Sequence, residues 1–200
     1  VNMQLYNDDC LKVLPTIPDK SIDLILTDPP YGTTQCKWDI IIPFEVMWKE
    51  LKRIIKDNGC IALFGTEPFS SHLRLSNLNW FKYDWVWNKK KPSNVFLVKK
   101  QPLKNIELIS IFYNKQPIYK PQPTFKNTGK GFSQKNHNLF HKDKTKGIAK
   151  VVDNRNTSNI GYPKVLLDHI KVLNNLSKDK AGLHPTQKPV ALLEYLIKTY

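Results

Sequence analysis

The stretch Ser21-Ile-Asp-Leu-Ile-Leu-Thr27 ends abruptly at Asp28-Pro29-Pro30-Tyr31-Gly32, and this junction constrains the fold more than any other part of the chain. A near-continuous apolar run of this length reads as a strand covered on both faces, the kind found in parallel α/β sheets. Two consecutive prolines cannot continue a ladder or enter a helix, so the strand stops at the aspartate. In open α/β sheets, ligands bind beyond the carboxyl ends of the strands, so Asp28 stands where a site belongs. The prolines fix a rigid platform bearing the Asp28 carboxylate, the Pro29 carbonyl and the Tyr31 ring. Two acceptors beside an aromatic face suit a planar ligand carrying an amino group. The same residues also read as a proline-stiffened turn in which Asp28 caps neighbouring backbone.

The flanking segments repeat the strand and helix alternation. Met3 to Asn7 is a short strand candidate. From Pro43 to Asp57, Phe44, Met47, Trp48, Leu51, Ile54 and Ile55 follow helical spacing, with Gly59 placed to end the helix. Cys60 to Phe64 is the next strand, and Thr66 is an expected N-cap with Glu67 and Pro68 in the first turn that follows. Lys82 to Trp87 and Ile106 to Tyr113 are further strands, and Pro189 to Tyr200 is a closing helix. The expected fold class is therefore α/β, an open sheet with helices on both faces. Residues 1–114 and 163–200 are assigned to this core, and 115–162, rich in Lys, Asn, Gln, Pro and Gly, to a loop-rich basic insert.

Charge sets the expected partner. The chain carries +14 overall, and residues 82–150 alone hold 16 Lys/Arg against 3 Asp/Glu. A block of one sign is the footprint of a polyanion-binding surface, the alternative being a solvated lysine-rich face. Lys89, Lys90, Lys91, Lys99 and Lys100 lie close to Trp85 and Trp87 and are candidates for phosphate contact. The Tyr83, Trp85, Trp87 alternation is that of a strand face, so both tryptophans are expected in the sheet. Three cysteines in no C-x-x-C pair argue against a disulfide framework and a thiolate metal site, and no metal is expected. With no apolar run long enough to span a bilayer and no signal segment, a cytoplasmic protein without membrane partners is expected.

His184-Pro185-Thr186-Gln187-Lys188-Pro189, just before the closing helix, gathers donor and cationic side chains near a helix start, where an anionic ligand group could be held. It reads equally as a loop leading into the helix. Together with Asp28 to Tyr31, and with Asn7 to Leu11, Trp38-Asp39, Phe81 to Trp87, Pro102 to Glu107 and Gly161 to Pro163, this segment resembles the N-6 adenine / N-4 cytosine DNA methyltransferases. The order is the one with D-P-P-Y near the N-terminus and H-P-T-Q-K-P near the C-terminus. The resemblance implies a Rossmann-like methyltransferase sheet, S-adenosylmethionine as cofactor and double-stranded DNA with a flipped target base as partner. It implies catalytic roles for Asp28, Pro29, Pro30 and Tyr31, and cofactor contacts for Asp9, Asp28, His184, Thr186 and Lys188. Asp9 reads alternatively as the cap of a helix from Cys10 to Leu14.

D-P-P-Y rather than S-P-P-Y points to adenine N6, in an enzyme of restriction-modification or phage type. The alternatives are cytosine N4, RNA, or a non-catalytic nucleic-acid-binding remnant. Relatives carry a glycine-rich F-x-G-x-G turn after H-P-T-Q-K-P, so the sheet is expected to be incomplete here. Asn105-Ile106-Glu107 stands where many of them have His-Glu.

Overall fold

Alternation along one long strand organises the whole core. In β2 (Ile55–Gly65), Cys60, Ala62 and Phe64 point to one face of the sheet, and Ile61 and Leu63 to the other, as the period of two requires. The computed structural model describes residues 3–122, 124–125, 160–161, 163–167 and 187–200. The first face is covered by Leu192 and Leu196 of α4 (Val190–Thr199), and the second by α2 (Phe44–Ile54) and α3 (Phe69–Ser76) through Met47, Trp48, Leu51, Phe69 and Leu73. The helices therefore lie on both faces, as expected of an α/β sheet.

The sheet runs β1-β2-β4-β3-β7, with β1 (Ile22–Thr27), β3 (Phe81–Ser93), β4 (Lys104–Phe112) and β7 (Leu166–Leu167). β1 is parallel to β2 and β7 is parallel to β3, whereas β4 is antiparallel to both β2 and β3. The parallel-type reading thus holds for β1 and β2 and fails for the pair that follows. In residues 121–163, a separate unit, β5 (Thr124–Phe125) pairs with β6 (Ile160–Gly161).

Four expectations are corrected. Met3 to Asn7 is not a strand. It has no ladder partner, and Met3 and Leu5 are 80% and 87% exposed, so its apolar alternation has nothing to pack against. β1 is covered on both faces, but none of its residues is fully buried, because it stands at the sheet edge among the described residues. Helix α2 stops at Ile54 rather than Asp57, because Ile55 already pairs with Ile22. The next pair is Leu24 with Cys60, so Lys56 to Gly59 bulge out of the ladder. Gly59 belongs to that bulge: a Cβ there would lie 2.7 Å from the Ile55 side chain and 2.8 Å from the Asp23 carbonyl. Lastly, Pro68 rather than Thr66 precedes α3, and the Glu67 carboxylate accepts from the Ser71 amide at 3.2 Å and hydroxyl at 2.6 Å.

Trp85 and Trp87 are 3% and 6% exposed in the core, as the strand alternation predicts. Trp85 donates its indole N–H to the Tyr200 hydroxyl at 2.9 Å, which ties β3 to the end of α4. None of the described helices is long and apolar enough to cross a membrane, and no cluster of metal-ligating side chains occurs among the described residues.

Candidate active site

The carboxyl ends of β1 and β2 and the beginning of β4 share one edge of the sheet: Thr27 pairs with Leu63, and Gly65 with Leu108. This register brings Asp28, immediately after β1, close to Glu107, one residue before Leu108. Residues 28–31 belong to no regular element, as two prolines dictate. Pro29 is buried and Asp28 is exposed.

The Tyr31 hydroxyl donates to Asp28 and, at 3.3 Å, to Glu107. Its ring packs 5.1 Å from the ring of Phe69 in α3. Burial, reinforced by the charges of Glu107 and Asp28, raises the Tyr31 phenol well above its ordinary range, so it stays protonated and acts as a donor.

The backbone after Tyr31 is held by one carboxylate. Asp39 Oδ1 accepts from the amides of Tyr31 at 2.8 Å and Gly32 at 2.9 Å. Asp39 Oδ2 accepts from the amides of Thr33 at 2.9 Å and Thr34 at 2.7 Å and from the Thr34 hydroxyl at 2.8 Å. Asp39 is only 8% exposed. Burial works to raise its carboxyl, but the bonds from Thr34, Gly32 and Tyr31 outweigh it and hold the group below the usual carboxylate range. Gly32 has φ +67°, and a Cβ there would sit 2.9 Å from Ile41, so glycine is required at this turn.

Lys188 completes the constellation from the far end of the chain. Its ammonium lies 2.6 Å from Asp28 Oδ2 and 2.8 Å from Glu107 Oε1, and 5.1 Å from the centre of the Phe64 ring. Glu107 also faces Lys89 at 3.4 Å. Asp28, Lys188, Glu107 and Lys89 thus form a line of alternating charge, with Tyr31 bridging its two carboxylates.

The structure brings together Asp28, Pro29, Pro30, Tyr31 and Lys188 from the predicted site. Asp9 lies on a different element: its carboxylate accepts from the Leu11 amide at 2.9 Å and caps α1 (Cys10–Val13), and it remains exposed. His184 and Thr186 lie outside the described residues, as do the side chains of Lys90 and Lys91. Lys89 is turned to Glu107, whereas Lys99 and Lys100 are exposed. Sequence reasoning gave no role to Glu107 or Asp39. The signals were an acid inside an otherwise apolar strand, and an Asp eight residues beyond Tyr31 in the Trp38-Asp39 pair.

The donor set fits S-adenosylmethionine at the residues that can be judged. Asp28, with its side chain 31% exposed, is a carboxylate that a sulfonium could approach, whereas Glu107 is held by Lys188 and Lys89. Asp9 is exposed and uses one oxygen for its cap, so it can also accept from a ligand hydroxyl.

The described residues form a five-stranded mixed sheet with a proline-bounded carboxylate at the carboxyl ends of β1 and β2. The solved PvuII DNA methyltransferase, which is cytosine-N4-specific, shares this fold at a TM-score of 0.56 and 19% identity, covering 97% of this chain and 68% of that one. The sequence model of the N6/N4 DNA methylases matches residues 22–200, and the chain belongs to that family. Family members use S-adenosylmethionine as methyl donor. Among curated relatives, the type II methyltransferase M.HinfI of Haemophilus influenzae is 34% identical over 44% of this chain and 32% of its own. M.BamHI of Bacillus amyloliquefaciens is 24% identical over 48% of this chain and 27% of its own. The chain thus spans about a third or less of the length of these relatives.

Proposed function

We propose that this chain carries the catalytic part of an enzyme that transfers a methyl group from S-adenosylmethionine to the N6 amino group of adenine in double-stranded DNA, in a restriction-modification or phage setting. The observation that carries this reading is the meeting of two motifs 160 residues apart, with Lys188 against Asp28 at 2.6 Å. Asp28 has the most exposed side chain of the four charged groups in the cluster.

In this reading the target base leaves the duplex and stacks on Tyr31, and its amino hydrogens bond to the Asp28 carboxylate and the Pro29 carbonyl. These acceptors localise the nitrogen lone pair that the ring otherwise withdraws. When bound, S-adenosylmethionine would supply an electrophilic methyl group to that nitrogen, with its sulfur as the leaving group. The nitrogen is briefly cationic, the Asp28 carboxylate stabilises that charge, and the surplus proton leaves to water. Positioning supplies most of the acceleration. Asp9, His184 and Thr186 are assigned to the cofactor side by resemblance, whereas Lys188, read with them in the sequence, is engaged by Asp28 and Glu107. Lys90, Lys91, Lys99 and Lys100 are assigned to phosphates, and residues 115–162 to target recognition. Lys89, read with the same segment in the sequence, faces Glu107 at 3.4 Å and is assigned to that carboxylate instead of to a phosphate.

The test is transfer of labelled methyl groups to unmethylated duplex DNA, followed by digestion to nucleosides and mass analysis. N6-methyl-2′-deoxyadenosine in the digest is the expected product. N4-methyl-2′-deoxycytidine would move the acceptor to cytosine, and preferential labelling of RNA would change the polymer. DNA binding without any transfer would leave only the non-catalytic reading. Asp28→Ala should lower turnover by about a hundredfold or more, with DNA binding largely retained, because the lost acceptor is used most strongly as the nitrogen becomes cationic.

A further inference from the structure

Lys188 occupies the acceptor that the target amino group needs. Asp28 Oδ1 accepts from Tyr31 and Oδ2 from Lys188, so both oxygens of the platform carboxylate are already engaged. Side-chain exposure falls from 31% at Asp28 to 12% at Lys188 and 9% at Glu107, which orders the three from the mouth of the site inward. A half-buried ammonium stripped of its only partner would be costly, but Lys188 has a second carboxylate at 2.8 Å.

We propose that Lys188 is a displaceable occupant of the Asp28 acceptor, and that Glu107 is the positioning residue that receives it when the target amino group binds. The proposal rests on the reading that Asp28 accepts from that amino group. Before the base arrives, Lys188 bridges Asp28 and Glu107, keeping the two carboxylates compatible while Tyr31 donates its one proton to Asp28. As the base binds, its amino hydrogens replace the ammonium at Asp28, and Lys188 remains paired with Glu107. Lys89, 3.4 Å from the other Glu107 oxygen, keeps that carboxylate in place as Lys188 shifts. Glu107 therefore acts through Lys188 rather than on the substrate.

The test is a double-mutant cycle of Glu107→Gln and Lys188→Met with two readouts. The first is thermal unfolding without DNA or cofactor. Lys188→Met leaves Asp28 without a cation and Glu107 with Lys89 alone beside it, and should lower the melting temperature; adding Glu107→Gln should recover part of the loss. Strictly additive melting shifts would overturn the proposal. The second is methyl transfer to unmethylated genomic DNA. Glu107→Gln alone should lower kcat about tenfold, the size expected for losing one bond to a charged group, with KM for DNA within about twofold. In the Lys188→Met background the same change should alter kcat by less than about twofold. Equal losses in both backgrounds, or a loss confined to KM, would overturn the proposal. So would a Lys188→Met variant with no measurable transfer, since that would give Lys188 a direct part in the reaction. A wild-type protein that transfers nothing would remove the parent reading and this inference with it, a result distinct from a failed cycle.

Discussion

Replacing Asp39 with alanine isolates what holds the platform in place. The side chain accepts five hydrogen bonds, four from consecutive backbone amides at Tyr31 to Thr34 and one from the Thr34 hydroxyl. A hydrogen bond to a charged acceptor contributes about 1.5–3 kcal/mol when no water replaces it. Gly32, Thr33 and Thr34 are exposed, so water can take over most of these donors, and about 0.5–1 kcal/mol per bond is the appropriate scale. The sum over the five bonds predicts that Asp39→Ala costs about 2.5–5 kcal/mol, measured as a shift in the urea midpoint at constant slope. Asp39→Asn keeps one acceptor oxygen but turns an NH₂ toward the remaining donors, and should recover no more than about half. The pH dependence has a definite sign. Because folding depresses the Asp39 carboxyl, its contribution is complete above the ordinary carboxylate range near pH 4 and is lost as pH falls through the depressed value. The wild-type advantage over Asp39→Asn should therefore shrink only below about pH 4. Amide exchange at residues 31–34 should accelerate in both variants. A loss under about 0.5 kcal/mol with unchanged exchange at these amides would refute the reasoning.

Other outcomes follow from the same structure. Neutralising Lys99 and Lys100 together should weaken binding to all duplex sequences alike and reduce the salt slope by about 2, since each phosphate contact contributes about 0.9; binding titrations between low and moderate salt measure this, and a changed sequence preference at constant slope would count against it. Lys89→Met should behave differently, because its ammonium faces Glu107, and a turnover defect without a change in salt slope is expected. Burial pushes the Tyr83 phenol up to about 12 and raises Tyr31 and Tyr200 as well. Groups raised on folding stabilise fully below their unfolded value, so stability should hold to about pH 10 and fall as pH rises through 12, and a flat alkaline unfolding profile would contradict this. Cys10 and Cys36 are exposed, whereas Cys60 is buried and its thiol is pushed up to about 12, so a thiol reagent should modify two sites in the native protein and the third only on unfolding, as counted by intact mass.

What the sequence disclosed was whatever depends on near neighbours. The strand ending at Asp28, the helical face of α2 and the burial of Trp85 and Trp87 follow from periods of 2 and 3.6 and from the chemistry of proline. The errors lie where a distant partner decides. Ile55 has helical spacing with Leu51, but its ladder bond to Ile22 pulls it into β2, and Gly59 becomes part of a bulge rather than a helix stop. Met3 to Asn7 has the alternation of a strand and no neighbour to pair with. The site divides in the same way. Asp28 and Tyr31 are three residues apart and could be read as one platform, but their relation to Glu107 depends on Gly65 pairing with Leu108 across an antiparallel junction that the strand pattern did not predict. Lys188 shows the limit most clearly. Its place before a helix suggested an anion-binding start, but its ammonium lies between two carboxylates of the protein itself. A lone lysine in a loop has many possible partners, and only the closed fold, which brings α4 onto the face of Phe64 and Ala62, selects Asp28 and Glu107 from among them. For this reason the charge line across the site becomes visible only with the sheet register in hand, whereas its first carboxylate is marked by the prolines alone.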